Sequence, residues 1–118
     1  MADLGTEIAG LRMENPIMLA SGILGQTGEG LLRVIEEGGA GAVVTKSIGL
    51  QPKNGHGNPS AIELDSGILN AMGLPNPGIN AFEPELKKAL EGGVPVIASI
   101  FADSGDGFST LASHMAQF

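Results

Sequence analysis

The chain has 118 residues, enough for one compact domain with its own core, and its 42% apolar content is that of a globular protein. Thirteen acidic residues against six basic ones give a formal charge of −7, and Lys87-Lys88 is the one adjacent pair of cations, which excludes a nucleic-acid surface. No cysteine is present, which excludes a disulfide framework, a Cys-based zinc site and a thiol nucleophile within these residues; no metal site is expected.

Residues 6–12 read as a short strand that turns at Ala9-Gly10 back toward Asn15-Pro16. A hairpin capping the bottom of a barrel would look like this, and so would a free-standing edge hairpin. Ile17-Met18-Leu19-Ala20 follows as a buried strand. Residues 28–37 carry Leu31, Leu32, Val34 and Ile35 on a helical stripe and stop at Gly38-Gly39. Ala42-Val43-Val44-Thr45 is a second buried strand. Residues 49–80 form a long excursion with no evident regular structure. Residues 81–91 carry Phe82, Leu86, Ala89 and Leu90 at helical spacing and stop at Gly92-Gly93. Val96-Ile97-Ala98-Ser99-Ile100 is the third strand, and a third helix begins near Asp106 with Phe108, Leu111, Ala112 and Met115 on one stripe.

All three strands are continuously apolar, the pattern of parallel strands covered on both faces. The cassette of helix, Gly-Gly and buried strand occurs twice (GGAGAVVTKS and GGVPVIASI), which predicts an α/β fold with a parallel sheet. A (β/α)8 TIM barrel needs eight such units and about 250 residues, and only about the first three are present here. An open three-stranded sheet is the other arrangement this pattern allows. No apolar run approaches the roughly 20 residues of a membrane span, and the amino terminus lacks the basic flank and apolar core of a signal peptide. No membrane partner and a cytoplasmic location are therefore expected.

Parallel α/β folds bind ligands at the carboxyl ends of their strands. Three places qualify. Ala20-Ser21-Gly22-Ile23-Leu24-Gly25 is small and glycine-rich, so a flat or phosphorylated ligand can approach its backbone, although a plain βα turn has the same composition. Thr45-Lys46-Ser47 puts a lysine directly after an apolar strand. There it either serves a ligand inside the barrel mouth or is a solvated strand-end cation. The excursion holds Gly57-Asn58-Pro59 and a string running Leu69-Asn70-Ala71-Met72-Gly73-Leu74-Pro75-Asn76-Pro77-Gly78. Its apolar anchors Ile68, Leu69, Met72 and Leu74 predict an ordered wall, with Asn70 facing the ligand near Lys46. Asn70 and Asn76 suit a planar ligand with carbonyl and N–H groups, or else simply make turns.

Together these motifs, with Asn15-Pro16 and Pro95-Val96-Ile97-Ala98-Ser99-Ile100, resemble the class 1 dihydroorotate dehydrogenases over nearly the whole chain. The Leu-Asn-Ala form resembles the class 1B, NAD-linked branch. The resemblance implies that residues 1–118 are the amino-terminal part of a single FMN-binding (β/α)8 barrel domain. It further implies oxidation of dihydroorotate to orotate in pyrimidine biosynthesis, with hydride passing from C6 to flavin N5. By the same resemblance Ala20, Ser21, Lys46, Ser47 and Ser99 contact FMN, while Lys46, Asn70, Ala71, Met72, Gly73 and Leu74 contact the substrate. Lys46 matches the lysine that touches both, its charge favouring the reduced flavin.

Two positions depart from the family pattern. Ser99 stands where many relatives have asparagine, and Ser60-Ala61-Ile62 follow Gly57-Asn58-Pro59 where proline and arginine are common. The resemblance places the catalytic base, a cysteine, on a loop after the fourth strand, so no catalytic residue is expected before Phe118. The implied partners are dihydroorotate and orotate, an electron-transfer subunit carrying FAD and an iron–sulfur cluster if the class is 1B, and further copies in a homo-oligomer. Two other readings are a non-catalytic half-barrel that self-associates through its open sheet edge, and a related flavin barrel acting on another pyrimidine.

Overall fold

The structure is a computed structural model and describes residues 2–118. An antiparallel hairpin of β1 (Thr6–Ile8) and β2 (Leu11–Met13) comes first, paired Thr6↔Met13, Glu7↔Arg12 and Ile8↔Leu11. Ala9 and Gly10 at its tip have φ of 50° and 82°, the primed two-residue turn whose twist matches that of paired strands. In chain order there follow β3 (Met18–Leu19), α1 (Gly28–Glu36), β4 (Ala42–Val44), β5 (Ala61–Leu64), β6 (Gly67–Asn70), α2 (Ile79–Leu90), β7 (Val96–Ile97) and α3 (Gly105–Met115).

β3, β4 and β7 pair in parallel in that order, with Met18↔Ala42, Leu19↔Val43, Val43↔Val96 and Val44↔Ile97. The order follows the chain without reversal, as in a barrel wall; a doubly wound sheet reverses at its switch point. The helices begin and end where local chemistry predicts. Thr27 Oγ1 accepts from Gly30 N at 3.1 Å to cap α1, and Ser104 Oγ accepts from Gly107 N at 3.2 Å to cap α3. At the end of α1, Gly39 takes φ 65°, and its N–H donates to Ile35 O at 3.0 Å. α2 starts two residues earlier than periodicity indicates, because Gly78 O already accepts from Phe82 N at 3.1 Å. The start of α1 is also tied to α2, since the Glu85 carboxylate accepts from Gly28 N at 2.6 Å.

All three helices pack on one face of the sheet. Leu31, Ile35, Ala40, Val43 and Ala89 form one buried cluster. Ile48, Ile79, Phe82, Leu86 and Leu111 form a second, and Val96 packs against both. The opposite face is bare: Val44 and Ile97 are only half-buried, and Ile17 is 67% exposed. Coverage on both faces is thus seen at Ala42 and Val43 but not along β3 or β7, because in a barrel the second face is covered by side chains of other strands. Of the α3 stripe only Leu111 is buried, and Phe108 stays 43% exposed.

The excursion is regular after all. β5 and β6 form an antiparallel hairpin, Ala61↔Asn70 to Leu64↔Gly67, closed by Asp65-Ser66. Below it, Ser60 O accepts from Ala71 N and Met72 O accepts from His56 N, and Lys53 and Asn76 exchange backbone bonds of 2.9 Å in both directions. The expected packing of Ile68, Leu69 and Leu74 is not found: they are 74%, 58% and 41% exposed. Hydrogen bonds order this arm where apolar anchors were expected to. Its root is Asn76, 8% exposed, whose Oδ1 accepts from Gly49 N (3.1 Å) and Gly78 N (2.9 Å) while Nδ2 donates to Leu74 O at 3.0 Å.

Asn76→Ala leaves two buried N–H groups without acceptors and is expected to cost about 2–4 kcal/mol, given roughly 1–3 kcal/mol per unsatisfied group. Asn76→Asp keeps both acceptors and should cost less. Thermal melting with limited proteolysis across residues 51–77 checks this; equal stability and equal cleavage in Asn76→Ala would remove the rooting role.

Candidate functional site

The carboxyl ends of β3, β4 and β7 lie side by side, and each strand is followed within three residues by a serine: Ser21, Ser47 and Ser99. Ser21 Oγ lies 3.5 Å from Ser47 Oγ, which lies 2.8 Å from Ser99 Oγ. Three residues separated by 26 and 52 positions in the chain thus form one hydroxyl row across the strand ends. Two mutual contacts use two of the three O–H donors, so one donor and several lone pairs stay available to a ligand. Ala20 and Ser21 are exposed and small, while Ser47 and Ser99 are half-buried, so a flat group can reach the row.

Lys46 sits within this segment as a half-buried residue, its N–H donating to Gly25 O at 2.8 Å. It lines a cavity of about 450 Å3 together with Gln26, Thr27, Lys53, Asn76 and Glu85. Gly25 is required here, since a Cβ would lie 2.7 Å from Lys46 N. Asn70, at the end of β6, is exposed and lines a separate depression of about 150 Å3 with Pro59, Ser60 and Ile62. The structure therefore joins Ser21, Ser47 and Ser99 directly and sets Lys46 next to them in the chain. Lys46 is not among the residues that line the depression at Asn70. Asn70 stands on the arm that Asn76 roots just beyond β4, on the carboxyl-end side of the sheet.

Between Asn70 and the root, Ala71 N and Met72 O are used within the arm. Among the described residues the amides of Met72, Gly73 and Leu74 donate no hydrogen bond to a protein acceptor. Gly73 and Leu74 take φ of 75° and 55°; a left-handed non-glycine residue is strained, and successive amides in such turns form a concavity suited to an anion.

Sequence reasoning misses two participants, Thr45 and Lys53, while for Asn76 the geometry favours the turn-making alternative. For Thr45 a signal is present, a hydroxyl closing an otherwise apolar strand. Nothing comparable marks Lys53. Among the described residues no three His, Asp or Glu side chains cluster as metal ligands, and no helix is long and apolar enough to cross a membrane.

The family model described as dihydroorotate dehydrogenase matches residues 3–118. The catalytic subunit of dihydroorotate dehydrogenase B (NAD(+)) from Methanosarcina mazei is 58% identical over 109 residues, covering 92% of this chain and 35% of the relative. Its counterpart from Thermoplasma acidophilum is 48% identical over 118 residues, covering 100% of this chain and 39% of the relative. Among solved structures, DHODH from Eimeria tenella in complex with ferulenol superimposes with a TM-score of 0.74 at 26% identity, over 90% of this chain and 32% of that one. The chain thus spans little more than a third of the length of these curated relatives, and its three βα units are part of a TIM barrel. With the motif order, the sequential parallel sheet and the family match in agreement, the chain belongs to the dihydroorotate dehydrogenase family.

Proposed function

We propose that this chain is a segment of the catalytic subunit of a class 1B dihydroorotate dehydrogenase, which oxidises dihydroorotate to orotate with FMN in pyrimidine biosynthesis. The observation that carries the reading is the hydroxyl row Ser21–Ser47–Ser99 beside Lys46 at the carboxyl ends of three consecutive parallel strands. These residues fit FMN: small side chains at Ala20 and Ser21 leave its approach open, and the row offers both donors and acceptors to a ring with alternating carbonyl and nitrogen groups. When bound, FMN supplies the hydride-accepting chemistry.

This chain has no cysteine, so the roles of its own residues are binding, orientation and electrostatics. Ser21, Ser47 and Ser99 hold the cofactor, with Ala20 alongside. Lys46 contributes a positive charge at the strand end where negative charge develops during hydride transfer. Asn70 and Ala71 to Leu74 wall the substrate side, and the left-handed turn at Gly73 and Leu74 suits the substrate carboxylate. The substrate partners are dihydroorotate and orotate. The class 1B reading carries with it an electron-transfer subunit with FAD and an iron–sulfur cluster and a homo-oligomer in the cytoplasm, and the bare sheet face suits a barrel that closes over it.

In the full-length protein, Lys46→Ala is expected to lower kcat/KM by roughly 10²–10³, the magnitude for losing one preorganised charge or donor. Lys46→Arg should rescue it poorly, because the planar guanidinium is bulkier and aimed differently. Steady-state reduction of a dye acceptor by dihydroorotate, read beside a thermal melt, decides. Normal turnover with a lowered melting midpoint would make Lys46 structural.

Ser47→Ala interrupts the hydroxyl row at its centre and should weaken FMN binding about 5- to 10-fold, the equivalent of one hydrogen bond of roughly 1 kcal/mol. Flavin fluorescence titration of the apoprotein measures this, and unchanged affinity would move the cofactor away from the row.

A further inference from the structure

We infer that Thr45 is a positioning residue whose hydroxyl fixes the backbone of both Lys46 and Ser99, and so sets where these two residues meet their ligands. The inference rests on the reading of Lys46 and Ser99 as ligand-facing residues, and adds the device that holds them.

The sheet register contains the argument. Val44 pairs with Ile97, and Ile48 with Ile100. Three residues, Thr45, Lys46 and Ser47, therefore oppose two, Ala98 and Ser99, which is a bulge of one residue on the first strand. Up to the bulge the ladder is regular: Val43 N donates to Pro95 O at 3.1 Å and Thr45 N to Ile97 O at 3.0 Å. An uninterrupted parallel ladder would next send Ser99 N to the backbone carbonyl of Thr45. It goes instead to Thr45 Oγ1, at 3.0 Å. The same hydroxyl donates to Lys46 O at 3.0 Å. Beyond the bulge the ladder resumes, Ile48 N donating to Ser99 O at 2.9 Å and Phe101 N to Ile48 O at 3.1 Å.

One hydroxyl thus accepts the ladder bond from Ser99 N on the neighbouring strand and donates to the displaced Lys46 carbonyl on its own. Lys46, the inserted residue, is held at both polar backbone atoms, its N–H by Gly25 O and its carbonyl by Thr45. Thr45 is fully buried, so water offers neither bond a substitute. Threonine is the residue suited to this position. Its hydroxyl is both donor and acceptor, and its branched Cβ restricts χ1 so that the oxygen stays in place. Valine has nearly the same shape and makes neither bond.

The test uses the full-length flavoprotein and compares Thr45→Val, Thr45→Ser and Lys46→Ala. It reads kcat and KM for dihydroorotate with excess dye acceptor, the melting midpoint, and amide hydrogen exchange at Ser99. Thr45→Val is expected to lower kcat roughly 10- to 100-fold, the scale on which small misplacements of a catalytic geometry act, with KM changed less than about threefold. Thr45→Ser, which keeps the hydroxyl and loses the methyl, should stay within about threefold of the parent in kcat, the rescue a purely packing role would not give. The Ser99 amide should be protected in the parent and in Thr45→Ser, and exchange at least about tenfold faster in Thr45→Val.

A Thr45→Val protein with normal kcat beside a slow Lys46→Ala overturns this inference alone. Normal turnover in Lys46→Ala overturns the functional reading beneath it. Should Thr45→Val not fold, an unprotected Ser99 amide in the parent, or a slow but well-folded Thr45→Ser, still overturns the proposal.

Discussion

The strand through Ala42, Val43 and Val44 must feed two hydrophobic clusters on the same face of the sheet, and the site follows from how it does so. Val43 packs with Leu31, Ile35 and Ala89, while Ile48 packs with Ile79, Phe82 and Leu111. Side chains on a strand alternate, so two residues five positions apart lie on opposite faces. A strict strand would bury Val43 against the helices and turn Ile48 away from them. The one-residue bulge removes the conflict by shifting the phase between them. Ile48 then reaches α2 and α3, and Ser47 turns to meet Ser99 at 2.8 Å. The core requirement and the hydroxyl row are two results of one backbone irregularity.

That origin explains what is legible in the sequence. Helical spacing in Leu31, Leu32 and Ile35, in Phe82, Leu86 and Ala89, and the Gly-Gly stops mark α1 and α2 within two residues. The continuous apolar runs mark all three parallel strands, though more generously than the two or three residues that actually ladder. Ser21, Lys46, Ser47 and Ser99 are legible as strand-end residues. Their meeting is not, because distance across a sheet depends on register, and register here depends on the bulge. The hairpin of β5 and β6 is hidden for a different reason. Ala-Ile-Glu-Leu and Gly-Ile-Leu-Asn show no inside-outside alternation because neither face is buried. The two-residue Asp65-Ser66 link between apolar runs was the one available sign.

Apolar content was a poor guide to the arm for the same reason. Ile68 and Leu69 look like anchors in a string of turn residues, yet they stand 74% and 58% exposed. What holds the arm is a ladder of backbone bonds narrowing to Asn76, a residue whose composition suggests ligand contact equally well. A carboxamide can accept two amides and donate to a carbonyl at once, and that capacity is spent on the root. The substrate contacts of the proposed function are then left to Asn70 at the far end and to the amides of Met72, Gly73 and Leu74 between.

The result is a division between two kinds of support. The hydroxyl row is carried by the sheet, whose positions are set by parallel pairing and by helices packed behind it, so its spacing is rigid. The arm is carried by one buried amide and a two-stranded ladder with both faces exposed, and such a ladder is marginal on its own. Rigid support suits a cofactor that stays in place through every turnover. A lightly anchored wall suits a substrate that must enter and leave, because opening it disturbs few buried contacts. Lys46 lies between the two: its backbone belongs to the bulge, and its cavity is shared with Asn76 at the root of the arm. A lysine in that position is coupled to both supports, which is the arrangement the proposed double role of its charge, toward cofactor and substrate, calls for.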